Sequence, residues 1–156
     1  MTRSKTQKGN SAFITSLLIF LLLGFLYLSC SKSSQTYSTS SGIEWETDYQ
    51  TALQKASQSS KPIVLDLYTD WCHWCKRLDE DVWADSDMVA FSEGQVYLKL
   101  DAENSDDGRR LVEKLKVRGY PTVVILNHRG EEINKIVGYL PADKYLQKLK
   151  NVLSAQ

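Results

Sequence analysis

The stretch from Pro62 to Lys76, "PIVLDLYTDWCHWCK", limits the fold more than any other part of the chain. Its first eight residues are rich in branched side chains and almost continuously apolar, the pattern of a strand covered on both faces. Directly after them Cys75, Leu78 and Val82 recur at helical spacing. The chain therefore passes from a buried strand into a helix, with Cys72 and Cys75 at the junction.

The same alternation runs through the remaining sequence. Tyr49, Leu53 and Ala56 stand at helical spacing before Lys61, and residues 96–103, "VYLKLDAE", read as a second strand. Residues 105–117 read as a helix whose acidic start and basic end suit the helix dipole. Two strands, 122–127 and 132–138, are joined by a turn at His128-Arg129-Gly130, where His128 serves as a turn residue. The last helix opens near Pro141 and buries Tyr145, Leu146, Leu149 and Val152. A break around Ala84–Ser86, with Asp85 or Ser86 as a cap, splits the helix after the cysteines. Trp45, Trp83 and Tyr68 are expected to pack within the fold. This order predicts an α/β domain over residues 43–156, a central mixed sheet flanked by helices with a closing hairpin.

The first 43 residues hold Arg3, Lys5, Lys8 and Lys32 and no acidic residue. An apolar run from Ala12 to Leu28 follows the positive start, as in a secretory signal or an N-terminal membrane anchor. Residues 1–29 are assigned to that signal or anchor. Residues 30–42 form a tether whose part from Ser31 to Gly42 has six serines in twelve positions and no apolar period. Lysine plus arginine equals aspartate plus glutamate over the whole chain, 19 of each, so no global basic field draws nucleic acid. Without residues 1–29 the balance is 16 basic against 19 acidic groups, a mildly acidic domain.

A zinc site needs four ligands and usually a second ligand pair, but the chain has only His73 and the distant His128 beside the cysteines. No metal site is assigned, although two thiols could still hand on copper. A structural staple is a poor reading, because closing so short a loop removes little entropy from the unfolded chain. The spacing suits exchange chemistry instead. Cys72 at a helix N-terminus has a dipole and free N–H groups to stabilise its thiolate, and Cys75 one turn deeper can resolve a mixed disulfide. No cofactor is needed.

"VLDLYTDWCHWCK" resembles the active-site strand and helix of the thioredoxin superfamily, and "VRGYPTVVIL" (117–126) resembles the segment carrying that family's cis-proline. The likeness covers residues 43–156 and implies a thioredoxin fold. It is similar above all to thioredoxin-like domains of envelope proteins, including the C-terminal periplasmic domain of thiol:disulfide interchange reductases. It implies that Pro121 is the cis-proline, with Tyr120 before it offering backbone groups to an extended client. It also implies that Asp66, six residues before Cys72, moves the proton of the second cysteine. Lys99 matches the lysine beside that carboxylate, or is a solvated lysine at a strand edge. His73 and Trp74 stand between the cysteines, where thioredoxin has Gly-Pro. A protonated His73 near the Cys72 sulfur would make the pair more oxidising, and Trp71 and Trp74 would form an apolar docking rim. Tyr27-Leu28-Ser29-Cys30 resembles a bacterial lipobox and makes Cys30 the lipidated residue, unless the run stays as an uncleaved anchor. Cys72 and Cys75 then remain as a closed pair.

The reading is a thiol–disulfide oxidoreductase, a reductase by preference, anchored in the bacterial cell envelope with its domain in the periplasm. It would exchange disulfides with protein clients and draw electrons from a membrane donor. The rival readings are a copper-handling lipoprotein and a redox-inactive binding module of the same fold.

Overall fold

The computed structural model describes residues 36–38 and 42–155. The signal or anchor over 1–29 and Cys30 lie outside the described residues. Among those described, no helix is long and apolar enough to cross a membrane. Strands β1 (Thr36–Ser38), β2 (Glu44–Glu46), β3 (Ile63–Tyr68), β4 (Val96–Asp101), β5 (Thr122–Leu126) and β6 (Glu132–Val137) form one sheet. Helices α1 (Tyr49–Ser59), α2 (His73–Asp81), α3 (Ser86–Ser92), α4 (Asp106–Lys114) and α5 (Ala142–Ser154) cover it.

The strand order is β1-β2-β4-β3-β5-β6. Strands β2, β4 and β3 run parallel, while β5 is antiparallel to β3 and β6 to β5, giving a mixed five-stranded core of the thioredoxin type. The sixth strand, β1, pairs antiparallel with β2 at one edge. It comes from the serine-rich segment, so the expectation of a structureless tether does not extend to Thr36–Ser38. Its backbone pairing covers an edge that would otherwise present unpaired amides.

Alternation along the strands sorts the core into two layers. Ile63, Leu65 and Leu67 of β3 point with Leu98 and Leu100 toward Tyr49, Ala52 and Ala56 of α1 and Leu111 of α4. Val64 of β3, Tyr97 of β4 and Val123 and Ile125 of β5 point the other way, toward Leu78, Met88, Tyr145, Leu146 and Leu149. The first layer is aliphatic; the second is built around Trp45, Trp83, Tyr97 and Tyr145 and also receives Asp66 and Lys99 from β3 and β4. Val152, expected on the buried stripe of α5, is only half-buried.

The helix starts follow the sequence chemistry. Asp48 accepts the Thr51 N–H at 2.7 Å to cap α1, and Ser105 accepts the Gly108 N–H at 2.8 Å to cap α4. Asp85 accepts the N–H groups of Asp87 and Met88 and opens α3, which is why the helix after the cysteines breaks where it does. Gly108 faces the end of β4, where an added Cβ would stand 1.9 Å from the Asp101 carbonyl oxygen. Gly108→Ala is therefore expected to lower the unfolding free energy by about 1–3 kcal/mol, seen as a lower urea midpoint at unchanged slope.

Candidate functional site

β3 ends at Tyr68, and the turn that follows is closed by the Cys72 N–H donating to the Thr69 carbonyl at 3.1 Å. This places Cys72 as the N-cap of α2, with extended backbone and its sulfur accepting the Cys75 N–H at 3.1 Å. The two cysteines form a disulfide across Cα atoms 5.3 Å apart, and both residues are nearly buried. When the bond opens, the Cys72 sulfur remains at the positive end of the helix, where an anion is stabilised.

The antiparallel pairing of β3 with β5 sets Leu67 opposite Thr122, so the residue before Thr122 lies at the same end of the sheet as the cysteines. That residue is Pro121, and the Tyr120–Pro121 bond is cis. The loop is fixed on both sides: the Gly138 N–H donates to the Pro121 carbonyl at 2.9 Å, and the Thr122 hydroxyl donates to the Gly119 carbonyl at 2.7 Å.

Asp66 is 1% exposed and Lys99 is 7% exposed, so Lys99 is not a solvated edge residue. The parallel register pairs them directly, and the Lys99 ammonium donates to Asp66 Oδ2 at 3.1 Å. The indole N–H of Trp83 donates to the same oxygen at 3.1 Å. Lys99 also bonds Asp79 of α2, and its ammonium lies 5.1 Å from the Tyr68 ring centre and 5.3 Å from that of Trp45. Burial alone would pull the Lys99 pKa down, but the charges and hydrogen bonds of Asp66 and Asp79 outweigh it and hold the value above the ordinary one. Burial pushes Asp79 up, against the opposing pull of Lys99. A cleft of about 260 Å³ lined by Thr47, Tyr68, Asp70, Asp79 and Lys99 gives this pair a way to solvent.

Two indoles stand out from the surface beside the disulfide, Trp71 at 67% and Trp74 at 54% exposure. Neither is loose. Trp71 donates to Glu103 at 3.0 Å and meets the ring of Tyr120 edge-on at 6.2 Å. Trp74 lies 5.4 Å from Tyr139, whose hydroxyl donates to Asp81 at 2.8 Å. His73 is exposed in the first turn of α2, its ring edge-on to Trp74 at 5.6 Å. His128 sits in the β5–β6 turn.

The structure thus brings Cys72, Cys75, Pro121, Tyr120, Trp71 and Trp74 to one end of the sheet, with Asp66 and Lys99 in the layer beneath α2. Sequence reasoning missed Asp79, Glu103, Tyr139 and the polar use of Trp83. Only Asp79 left a readable signal, since it lies one helical turn after Cys75 and so on the same helix face. Lys99→Met leaves the Asp66 carboxylate buried without its cation and is expected to cost roughly 3–5 kcal/mol at pH 7. Adding Asp66→Asn should restore most of that loss in a double-mutant cycle read by denaturant unfolding. The raised Lys99 pKa sets the sign with pH: its stabilisation is complete below the ordinary lysine value of 10.5 and is lost as pH rises through the higher folded value, so only chains with Lys99 show that alkaline loss.

The chain is 30% identical to the thiol:disulfide interchange protein DsbD of Pasteurella multocida over 93% of its own length and 27% of the relative's. It is 30% identical to DsbD of Campylobacter jejuni over 82% of its length and 22% of the relative's. It therefore spans about a quarter of these curated relatives. Among solved structures, the DsbH oxidoreductase superposes with a TM-score of 0.64 at 22% identity, covering 85% of this chain and 99% of that one. The oxidised C-terminal domain of Neisseria meningitidis DsbD gives 0.59 at 22% identity over 67% of this chain and 96% of its own. Residues 49–153 match the thioredoxin-like domain family. The strand–helix junction with its cysteine pair, the mixed sheet and this match together show that the chain belongs to the thioredoxin-like domain family.

Proposed function

We propose that the chain is a thiol–disulfide oxidoreductase of the bacterial cell envelope that reduces disulfides in protein clients. The observation that carries this reading is the Cys72–Cys75 pair at the N-terminus of α2, at the same sheet end as the cis-proline Pro121. The names of the relatives support the class of reaction, because the DsbD proteins it resembles are thiol:disulfide interchange proteins.

In the reduced protein, the Cys72 thiolate attacks one sulfur of a client disulfide and the other client sulfur leaves as a thiolate. Cys75 then gives its proton to Asp66, and its sulfur attacks Cys72. The bond to the client breaks, the Cys72–Cys75 bond forms, and the second client thiolate leaves. Two electrons pass to the client. A dithiol donor in the membrane reverses the exchange and restores the pair. Lys99 balances the charge on Asp66 and is itself held by Asp79, while Pro121 and Tyr120 line the groove in which an extended client segment lies. Trp71 and Trp74 add apolar contact on either side. The N-terminal run, through lipidated Cys30 or an uncleaved anchor, keeps the domain at the membrane in the periplasm.

The test is the reduction potential of the full chain carrying Cys30→Ser in detergent, equilibrated in a dithiothreitol series. A value near thioredoxin's, about −270 mV, is expected; one near about −120 mV would make the protein an oxidant and reverse the proposed direction. Because His73 is exposed and its charge screened by water, His73→Ala should move the potential by less than about 30 mV. Cys75→Ser should accumulate mixed disulfides with envelope proteins on non-reducing gels, and Cys72→Ser should accumulate none. Accumulation by both variants, or by neither, would contradict the assignment of attacker and resolver.

A further inference from the structure

Four polar atoms in the aromatic layer are buried without a hydrogen-bond partner: Asp66 Oδ1, the hydroxyls of Tyr97 and Tyr145, and the indole nitrogen of Trp45. The side chains that carry them pack around one residue, Trp83. The ring of Trp83 lies 5.3 Å from that of Trp45, 5.8 Å from that of Tyr97 and 5.5 Å from that of Tyr145, and its own N–H ends on the other oxygen of Asp66. The set is complementary: three donors, one on each ring, and a carboxylate oxygen that can only accept while ionised. Left unmet, each such group costs about 1–3 kcal/mol. A buried water needs two to four polar partners, and this cluster offers that number around a single indole.

We propose that Tyr145, on the C-terminal helix, is a positioning residue for the proton-accepting carboxylate. Its hydroxyl supplies Asp66 Oδ1 with a hydrogen bond carried through one internal water, and Tyr97 holds that water from the β4 side. The inference rests on the reading that Asp66 takes the proton of Cys75. It extends that reading from the strand and helix around the cysteines to the far end of the chain, because Tyr145 lies in α5. Electrostatics agree with the placement: burial raises Tyr145 well above its ordinary value, and the charge of Asp66 and then Tyr97 add to the rise. Both tyrosines stay protonated at neutral pH and remain donors.

The surroundings of Asp66 leave few other titrating groups. Lys99 and Tyr97 face it from β4, Asp79 with Glu80 behind it from α2, Cys75 from the first turns of α2, and Tyr145 from α5. Strands β5 and β6 contribute Val123, Ile125 and Ile136, and α3 contributes Met88, all apolar. Asp79 and the cysteines are ionisable groups of the same region, so the test must isolate Asp66.

The experiment follows the first-order rate of oxidation of the reduced full chain with Cys30→Ser at saturating hydroxyethyl disulfide, where attack by Cys75 limits, from pH 5 to 9. Wild type, Tyr145→Phe, Asp66→Asn and the double variant are compared. Loss of the hydroxyl makes the carboxylate harder to ionise, so the acid limb of Tyr145→Phe should move up by about one pH unit. That is roughly tenfold slower resolution on the acid limb, with the rate near pH 9 unchanged. Tyr97→Phe should shift the limb in the same direction by less, and it serves if Tyr145→Phe does not fold. In the Asp66→Asn background Tyr145→Phe should cause no further shift. A Tyr145→Phe profile that overlays the wild type, or an equal shift in both backgrounds, overturns the inference while leaving Asp66 its role. An Asp66→Asn profile that overlays the wild type removes that role, and this inference with it.

Discussion

Asp66 and Lys99 face each other across neighbouring parallel strands, on the side of the sheet that α2 covers. A charge this deep is costly unless paired, and each supplies the other's partner. The pair reaches further than its own bond. Lys99 also binds Asp79 of α2, and Asp66 also accepts from Trp83, which follows α2. The helix that carries both cysteines is thus tied to the strand beneath it by ionic contacts as well as by Leu78 and Val82 packing. Well-packed apolar side chains could serve stability as well or better. What they could not provide is a carboxylate in the layer that α2 covers, which the proposed exchange uses as proton acceptor.

The two faces of the sheet divide the labour accordingly. Against α1 and α4 the core is leucine, isoleucine, valine and alanine with Tyr49 at its rim, and the one buried charge on that side among the described residues, Glu46 at the edge strand β2, is paired with Lys55 of α1. Against α2, α3 and α5 it is aromatic, with polar tips on Trp45, Trp83, Tyr97 and Tyr145 turned into the layer that holds Asp66 and Lys99. Aromatic rings with one polar tip suit such a layer, because they bury large apolar area and still offer a donor. The aliphatic face sets the frame, and the aromatic face holds the buried Asp66–Lys99 pair.

This division explains what could be read in the sequence. Strands and helices were legible because their periods are set by burial: β3 announces itself as a nearly continuous apolar run, and Asp85 marks a helix start by local capping. Cys72, Cys75 and Asp66 were legible because their spacing lies along one strand and one helix. The contacts of Lys99 with Asp79, of Trp71 with Glu103 and of Tyr139 with Asp81 join elements far apart in the chain. No local pattern encodes such partners. The edge strand β1 escaped notice for a related reason, since a serine- and threonine-rich segment carries no apolar alternation to mark its pairing with β2.

The exposed indoles need a separate account, because large apolar side chains on a surface invite association. Each is held before any client arrives: Trp71 by Glu103 and Tyr120, Trp74 by Tyr139, which is itself fixed by Asp81. An indole already fixed in place loses little freedom when a client docks, so a small contact area yields more net affinity. Small area is what an exchange protein requires, since the mixed disulfide holds the client during the reaction and the client must leave once that bond is resolved. A wide apolar interface would retain the product. On the proposed reading, two indoles held beside the disulfide would place an extended client segment over Cys72 without a wide apolar interface to retain it.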